Sequence, residues 1–169
     1  MIGIGHATAA LAGRQGEWIA VIDPWRSMGF TPGGLAGFLQ RSARPAGGVL
    51  VARENRRGPV LGIVCVQAGV LLGDFVSLLA VRPESAGRGI GRALMDAVAE
   101  RTFAKRRWLY VSVDESNRAA RAFYRKLGFE RVGRLPELVR PGRVELLLRK
   151  PSPTVAPPSR RPSRRRVRG

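Results

Sequence analysis

Apolar positions recur along the chain with two spacings, and between them they mark out most of its elements. Gly48-Val-Leu-Val-Ala52 reads as a strand. After the turn Asn55-Arg-Arg-Gly-Pro59, the run Val60-Leu-Gly-Ile-Val-Cys-Val-Gln67 reads as the second strand of a hairpin. Residues 73–81, 107–113 and 129–133 are further strands, and Val144 to Leu148 closes the sheet. Helical spacing appears at Pro32 to Ser42, where Leu35, Phe38 and Leu39 share a face. It returns at 88–104 with Ile90, Leu94, Ala97 and Val98, and at 117–127 with Ala120, Phe123, Tyr124 and Leu127. Glu17 to Ile22 is either a short strand or the end of a first helix. Strands 73–81 and 107–113 flank the helix at 88–104, a crossover that implies a parallel pair, whereas the remaining order implies hairpins. The expected fold is therefore α/β: a strongly twisted mixed sheet flanked by helices, without an internal repeat.

Composition narrows the class. With 169 residues, 44% of them apolar, the chain fits one domain, expected over 1–150, followed by a tail over 151–169. The tail has six arginines, five prolines and no acid, so it is expected to be disordered. Of the net charge of +18, the tail carries +6 and the body +12. Two readings of the tail stand: contact with a polyanion through phosphates, or a solvated terminus without a specific role. No apolar run of 18 residues exists and the N-terminus lacks a secretory pattern, so neither a membrane span nor secretion is expected. The single cysteine, Cys65, lies in an apolar strand pattern and reads as a buried small hydrophobe. One cysteine excludes an intramolecular disulfide and suits a reducing cytoplasm. His6 is the only histidine, so neither a zinc site nor a Ser-His-Asp triad is expected, and no metal.

The richest chemistry lies in Val81-Arg-Pro-Glu-Ser-Ala-Gly-Arg-Gly-Ile-Gly-Arg-Ala-Leu-Met95. A strand end passes through a turn with Gly87, Gly89 and Gly91 and becomes an amphipathic helix. That geometry binds phosphate: glycines allow close backbone approach and the first-turn amides point at the anion. Arg88 and Arg92 add positive charge beside the helix end. The spacing is not that of a P-loop, since no Lys follows Gly91, and alternating glycines differ from the dinucleotide fingerprint. A close-packed turn without a ligand is the other reading. A second stretch, Asp114-Glu-Ser-Asn-Arg-Ala-Ala-Arg-Ala-Phe-Tyr-Arg-Lys-Leu-Gly-Phe129, follows an apolar strand. Ser116 or Asn117 caps its helix, and Gly128 fits the left-handed stop.

Together the two stretches resemble the GNAT superfamily of acetyl-CoA-dependent N-acetyltransferases over about residues 45 to 150. Gly89 and Gly91 take the glycine places of R/Q-x-x-G-x-G/A, with Ala86 standing where the family has Arg or Gln. Asn117, Ala120, Tyr124, Gly128 and Phe129 match the Asn-x-x-Ala-x-x-x-Tyr-x-x-x-Gly-Phe pattern. The resemblance implies a GNAT-like sheet whose two parallel strands, 73–81 and 107–113, splay apart beside the cofactor. It implies that Gly87, Arg88, Gly89, Ile90, Gly91 and Arg92 hold the diphosphate of acetyl-CoA. Backbone groups of Leu79, Ala80 and Val81 would pair with the pantetheine, and Asn117 would hydrogen-bond it; a plain helix cap is the other reading of Asn117. Tyr124 would be the general acid that protonates the coenzyme A sulfur, its alternative being a packing role. The glutamate that some relatives use as base falls at Ser112. Asp74, Asp114 and Glu115 are the acids nearest the expected cleft, and no base is assigned. Asp23, Trp25 and Phe30, together with the segment 135–142, are the expected acceptor walls, or else loop anchors. The implied activity is acetyl transfer from acetyl-CoA to a primary amine of a small molecule or protein. The alternative is a non-catalytic coenzyme A- or polyanion-binding protein on the same fold.

Overall fold

A computed structural model describes residues 2–44 and 48–154; most of the expected tail, residues 155–169, lies outside the described residues. The elements run β1 (Gly3–His6), α1 (Ala9–Gly13), α2 (Gly16–Ala20), α3 (Pro32–Ser42), β2 (Val49–Arg53), β3 (Gly62–Val70), β4 (Gly73–Val81), α4 (Ile90–Phe103), β5 (Trp108–Asp114), α5 (Arg118–Lys126), β6 (Glu130–Pro136) and β7 (Val144–Pro151). The sheet order is β1-β2-β3-β4-β5-β7-β6. Only β4 and β5 pair in parallel; every other neighbour is antiparallel.

Alternation along the strands separates two cores. Val49, Val51, Ile63 and Cys65 face α1–α3, while Leu50, Ala52 and Val64 face α4 and α5. Cys65 is fully buried, which pushes its thiol up to about 12 and leaves it inert. The α4 side chains Ile90, Leu94, Met95 and Val98 are each at most 2% exposed. Burial of each stabilises the fold by roughly 1.5–3 kcal/mol as an upper range. Gly62 permits this approach: a Cβ there would sit 2.8 Å from Ile90 Cγ2 and 3.2 Å from the Ala80 carbonyl. The start of α4 is thereby pinned against β3 and β4.

The helix starts follow their caps. Thr31 Oγ1 accepts from Gly34 N at 3.1 Å with Pro32 at the first helical position of α3, and Thr8 Oγ1 accepts from Leu11 N at 3.2 Å in α1. Residues 17–22, open between strand and helix in the sequence, are helical through Ala20. Two elements lie outside the sequence reading, β1 and α1; both are short, and β1 is a mostly exposed four-residue edge with two glycines. The last strand does not close the sheet. It inserts between β5 and β6, leaving β1 and β6 at the edges. It also runs past the expected domain end: Pro151 pairs with Trp108, and Ser152 N donates to Arg107 O at 2.8 Å. No helix among the described residues is long and apolar enough to cross a membrane, and no cluster of metal-ligating side chains occurs among them.

Candidate functional site

β4 and β5 are bridged only at Asp74–Leu109, Phe75–Tyr110 and Val76–Val111. Beyond Val76 the two strands continue, β4 to Val81 and β5 to Asp114, without pairing. The separation begins at a bulge: Cys65 faces Leu78 and Val66 faces Val76, so Ser77 is the extra residue. At the far end Arg82 N donates to Leu61 O at 2.8 Å. Backbone direction alternates along a strand, so the polar groups of Ala80 turn toward β3 and those of Leu79 and Val81 turn into the open split. Leu79 and Val81 thus present a free strand edge.

The split opens at its end onto the glycine turn. A single 3-10 turn, Pro83–Ser85, leads to Gly87 and Gly89, both at φ +77°, a left-handed conformation that side-chain-bearing residues rarely take. A Cβ at either glycine would meet nothing within 4 Å, so both face open space. Gly91 has a different role, since a Cβ there would lie 3.4 Å from Phe123 Cζ, where α4 meets α5. Gly89 caps α4 without a side-chain hydrogen bond. Among the described residues, no acceptor engages the amides from Gly87 through Arg92. Of these six consecutive amides the last four belong to the N-cap and first turn of α4, where helix amides are left without intrahelical acceptors. Arg88 forms an ion pair with Glu54, and Arg92 lies 3.9 Å from Asp96. Both arginines thus have an acid beside them on the surface.

Inside the split lies a cleft of about 200 Å³, lined by Leu79, Ser112, Asp114, Asn117, Tyr124 and Glu145, with Trp25, Met28, Phe30 and Val139 as an apolar wall. Tyr124 is 6% exposed and held edge-on by Phe123 and Phe129, with ring centroids 5.2 and 5.4 Å away. No described residue hydrogen-bonds its hydroxyl. Burial raises its pKa, so the phenol stays protonated and is available as a donor. Asn117 caps α5 by accepting from Ala120 N at 3.0 Å through Oδ1, which leaves its Nδ2 without a described partner beside the cleft. Capping and ligand contact are thus compatible.

The acids divide sharply. Asp114 is 8% exposed and fully engaged: its Oδ1 accepts from Ser116 N at 2.7 Å and Ser116 Oγ at 2.5 Å, and its Oδ2 accepts from Arg143 Nε at 2.7 Å. Burial pushes its pKa up, but the Ser116 and Arg143 hydrogen bonds outweigh burial and hold it below the usual range. Glu115 is half-buried and bidentate with Arg134, whose guanidinium lowers its pKa. Glu145 is 4% exposed, and its pKa moves the other way. Burial raises it, the Ser112 hydroxyl opposes that, and the Asp114 charge adds to the rise.

Two expected acids are elsewhere. Asp74 sits at the closed end of the split, where it accepts from Thr102 Oγ1 at 2.9 Å and lies 3.8 Å from Arg106. It lines a separate cavity between α3 and the end of α4, because β4 and β5 are still paired at that level. Asp23 does not line the cleft; it pairs with Arg26 at 2.7 Å on the surface. Trp25 packs on the α1–α3 core and also lines the cleft, and Phe30 lines it while 42% exposed. From segment 135–142, Val139 reaches the cleft, and Arg140 Nη1 donates to Ser27 O at 2.5 Å, tying the two walls together. Sequence reading passed over Glu145. The one available signal was a charged residue inside the apolar run Val144 to Leu148.

Comparison with known proteins bears on this geometry. The acetyltransferase (GNAT) domain family matches residues 45–131. N-alpha-acetyltransferase RimI of Mycobacterium tuberculosis is 33% identical over 137 residues, covering 77% of this chain and 79% of that protein. The 5-NmdU N-acetyltransferase of Pseudomonas phage PaMx11 is 31% identical over 97 residues, covering 57% of this chain and 66% of that one. Among solved structures, the ribosomal-protein-S18-alanine N-acetyltransferase of Escherichia coli superposes with a TM-score of 0.72 at 17% identity, over 95% of this chain and 99% of its own, a likeness of fold. The chain belongs to the GNAT acetyltransferases, enzymes that use acetyl-CoA as acyl donor, and is an N-acetyltransferase of that family.

Proposed function

We propose that this chain binds acetyl-CoA along the split between β4 and β5 and transfers its acetyl group directly to a primary amine lying on the Trp25 side of the cleft. One observation carries the reading: the unaccepted amides from Gly87 to Arg92 stand at the mouth of a split that also contains the free phenol of Tyr124. The amides hold the diphosphate, with Arg88 and Arg92 adding field rather than contact. Because backbone donors suffice, Ala86 in place of Arg or Gln is tolerable. The strand edge at Leu79 and Val81 pairs with the pantetheine amides, as an added strand would, and Asn117 Nδ2 reaches the same arm. The thioester then lies beside Tyr124.

Transfer needs the amine nitrogen to attack the thioester carbon and the carbon–sulfur bond to break. Tyr124 donates its proton to the departing sulfur, an effect worth about 10²–10⁴ in rate. The phenol regains a proton from the acylated nitrogen as the tetrahedral intermediate collapses. The catalytic domain spans residues 1–154 on this reading, and the arginines of the remaining tail lie outside the chemistry. The named relatives act on different amines, so the acceptor here is assigned only as a primary amine, on a small molecule or a protein N-terminus.

The test is release of free thiol from acetyl-CoA across a panel: benzylamine, a peptide beginning with alanine, a lysine-containing peptide and spermidine. The expected result is amine-dependent thiol release with at least one of them, together with an N-acetylated product by mass spectrometry. Saturable acetyl-CoA binding without transfer to any amine would instead make this a coenzyme A-binding protein.

A further inference from the structure

We propose that Glu145, reaching over from β7 to the place beside Ser112, is the general base that takes the proton from the acceptor ammonium. The inference rests on the acetyl-transfer reading above. Ser112 occupies the β5 position at which some relatives carry a basic glutamate, and a serine cannot do that work alone. The neighbouring strand supplies the missing group. β5 and β7 are antiparallel with Asp114 opposite Glu145 and Ser112 opposite Leu147. Residues two apart on a strand share a face, so Ser112, Asp114 and Glu145 look into the same cleft, and Glu145 is one diagonal step from Ser112. A glutamate side chain spans that step.

Unlike Asp114 and Glu115, Glu145 is in no ion pair among the described residues, although the Arg143 charge acts against the rise in its pKa. Arg143 pairs with Asp114 at 2.7 Å. Asp114 has both oxygens occupied, and Glu115 is clasped by Arg134. Glu145 lines the cleft together with Ser112, with Asp114 as the adjoining negative charge and the neutral Tyr124 phenol in the same space. Two carboxyl groups side by side whose surroundings drive their affinities for protons apart are a recurrent arrangement for acid–base work. The raised affinity of Glu145 brings it closer to the pKa of an amine, which favours transfer.

The step balances. The acceptor enters as R–NH3+, and Glu145 carboxylate takes one proton to become the acid, freeing the lone pair. Nitrogen attacks the thioester carbon, the carbon–sulfur bond breaks, and Tyr124 protonates the sulfur while the second nitrogen proton restores the phenol. Glu145 returns its proton to solvent. The apolar wall of Trp25, Met28 and Val139 makes the cleft a poor solvent for an ammonium, so the carboxylate both attracts the acceptor and neutralises it.

The test compares the parent with Glu145→Gln and Glu145→Asp, using acetyl-CoA and the fastest amine of the panel, from pH 5.5 to 9.5. For Glu145→Gln the expected result is a fall in kcat/KM of about 10²-fold near neutrality. Its profile should then rise with pH up to the pKa of the free amine, because only neutral acceptor reacts, while calorimetry shows acetyl-CoA affinity within twofold of the parent. Glu145→Asp should retain the parent's acidic limb with a smaller loss. The proposal is overturned if Glu145→Gln stays within threefold of the parent with the same profile. It is also overturned if acetyl-CoA affinity falls in proportion to turnover, or if Asp and Gln behave alike. A parent that transfers acetyl groups to no amine would sink the functional reading itself, a different result from an active parent indifferent to Glu145.

Discussion

Removing one oxygen from Tyr124 separates chemistry from structure unusually well. The ring is buried and braced by Phe123 and Phe129, so Tyr124→Phe keeps every packing contact. The hydroxyl has no hydrogen-bond partner among the described residues, so its loss leaves no orphaned group behind. Such a change should alter stability by less than about 0.5 kcal/mol, well under the 1–3 kcal/mol that follows when a buried partner is stranded. The diphosphate nest lies on a different element, at the start of α4, so acetyl-CoA affinity should stay within about twofold. Turnover behaves differently. A general acid contributes about 10²–10⁴ in rate, which corresponds to about 2.7–5.4 kcal/mol of barrier at 1.36 kcal/mol per decade. The assay is thiol release at saturating acetyl-CoA, with thermal melting and calorimetry on the same preparation. An unchanged melting temperature and Kd with kcat lowered by at least 10²-fold is the expected pattern. A kcat within threefold of the parent would remove Tyr124 from the reaction, and a parallel collapse of Tm would reassign it to packing.

Other outcomes follow from particular contacts. Gly62→Ala places a Cβ 2.8 Å from Ile90 Cγ2 and 3.1 Å from Leu94 Cδ1, so it should cost about 1–3 kcal/mol and lift α4 from the sheet. Melting should fall by about 2–12 °C and acetyl-CoA should bind more weakly; an unchanged Tm would contradict the close packing of α4. Because burial raises the pKa of Glu145, its ionised form opposes folding, and the carboxyl stabilises the native state only below the ordinary glutamate range. Glu145→Gln should therefore raise Tm at pH 8, with the gain shrinking to nothing below about pH 4, where both states carry the proton. A gain that is independent of pH would show that ionisation is not its cause. Truncation after Thr154 should leave Tm and small-amine turnover unchanged. Truncation after Lys150 should lower Tm, since it removes the Pro151–Trp108 pair and the Ser152–Arg107 hydrogen bond.

Much of this molecule is legible from local chemistry. The turn from Val81 to Arg92 declares itself through glycines that must take positive φ and through the helix that follows. Asn117 and Gly128 likewise mark the ends of α5 by their side-chain chemistry, and the parallel pair follows from the crossover helix. Less legible is anything set by which strands become neighbours. Residues 144–151 follow β6 in the chain and carry an apolar pattern, and nothing local says that they slide between β5 and β6. That insertion alone brings Glu145 opposite Asp114 and into the cleft. Asp74 illustrates the converse: it belongs to the strand that lines the split, yet lies at the end where β4 and β5 still pair. Asp23 looked available for an amine until its i+3 neighbour Arg26 took it. β1 and α1 are too short for a periodic signal, and their stability comes from pairing with β2 and packing on α3.

The central claim is that the amides from Gly87 to Arg92 grip the diphosphate of the acyl carrier. Calorimetric titration with acetyl-CoA, set beside S-acetylpantetheine, which offers the same thioester arm without the diphosphate, measures that grip directly. Acetyl-CoA should saturate with a Kd at least about 10²-fold tighter than the fragment, about 2.7 kcal/mol of binding supplied by the nest. Equal affinity for the two, or no saturation by acetyl-CoA at millimolar concentration, would contradict the account.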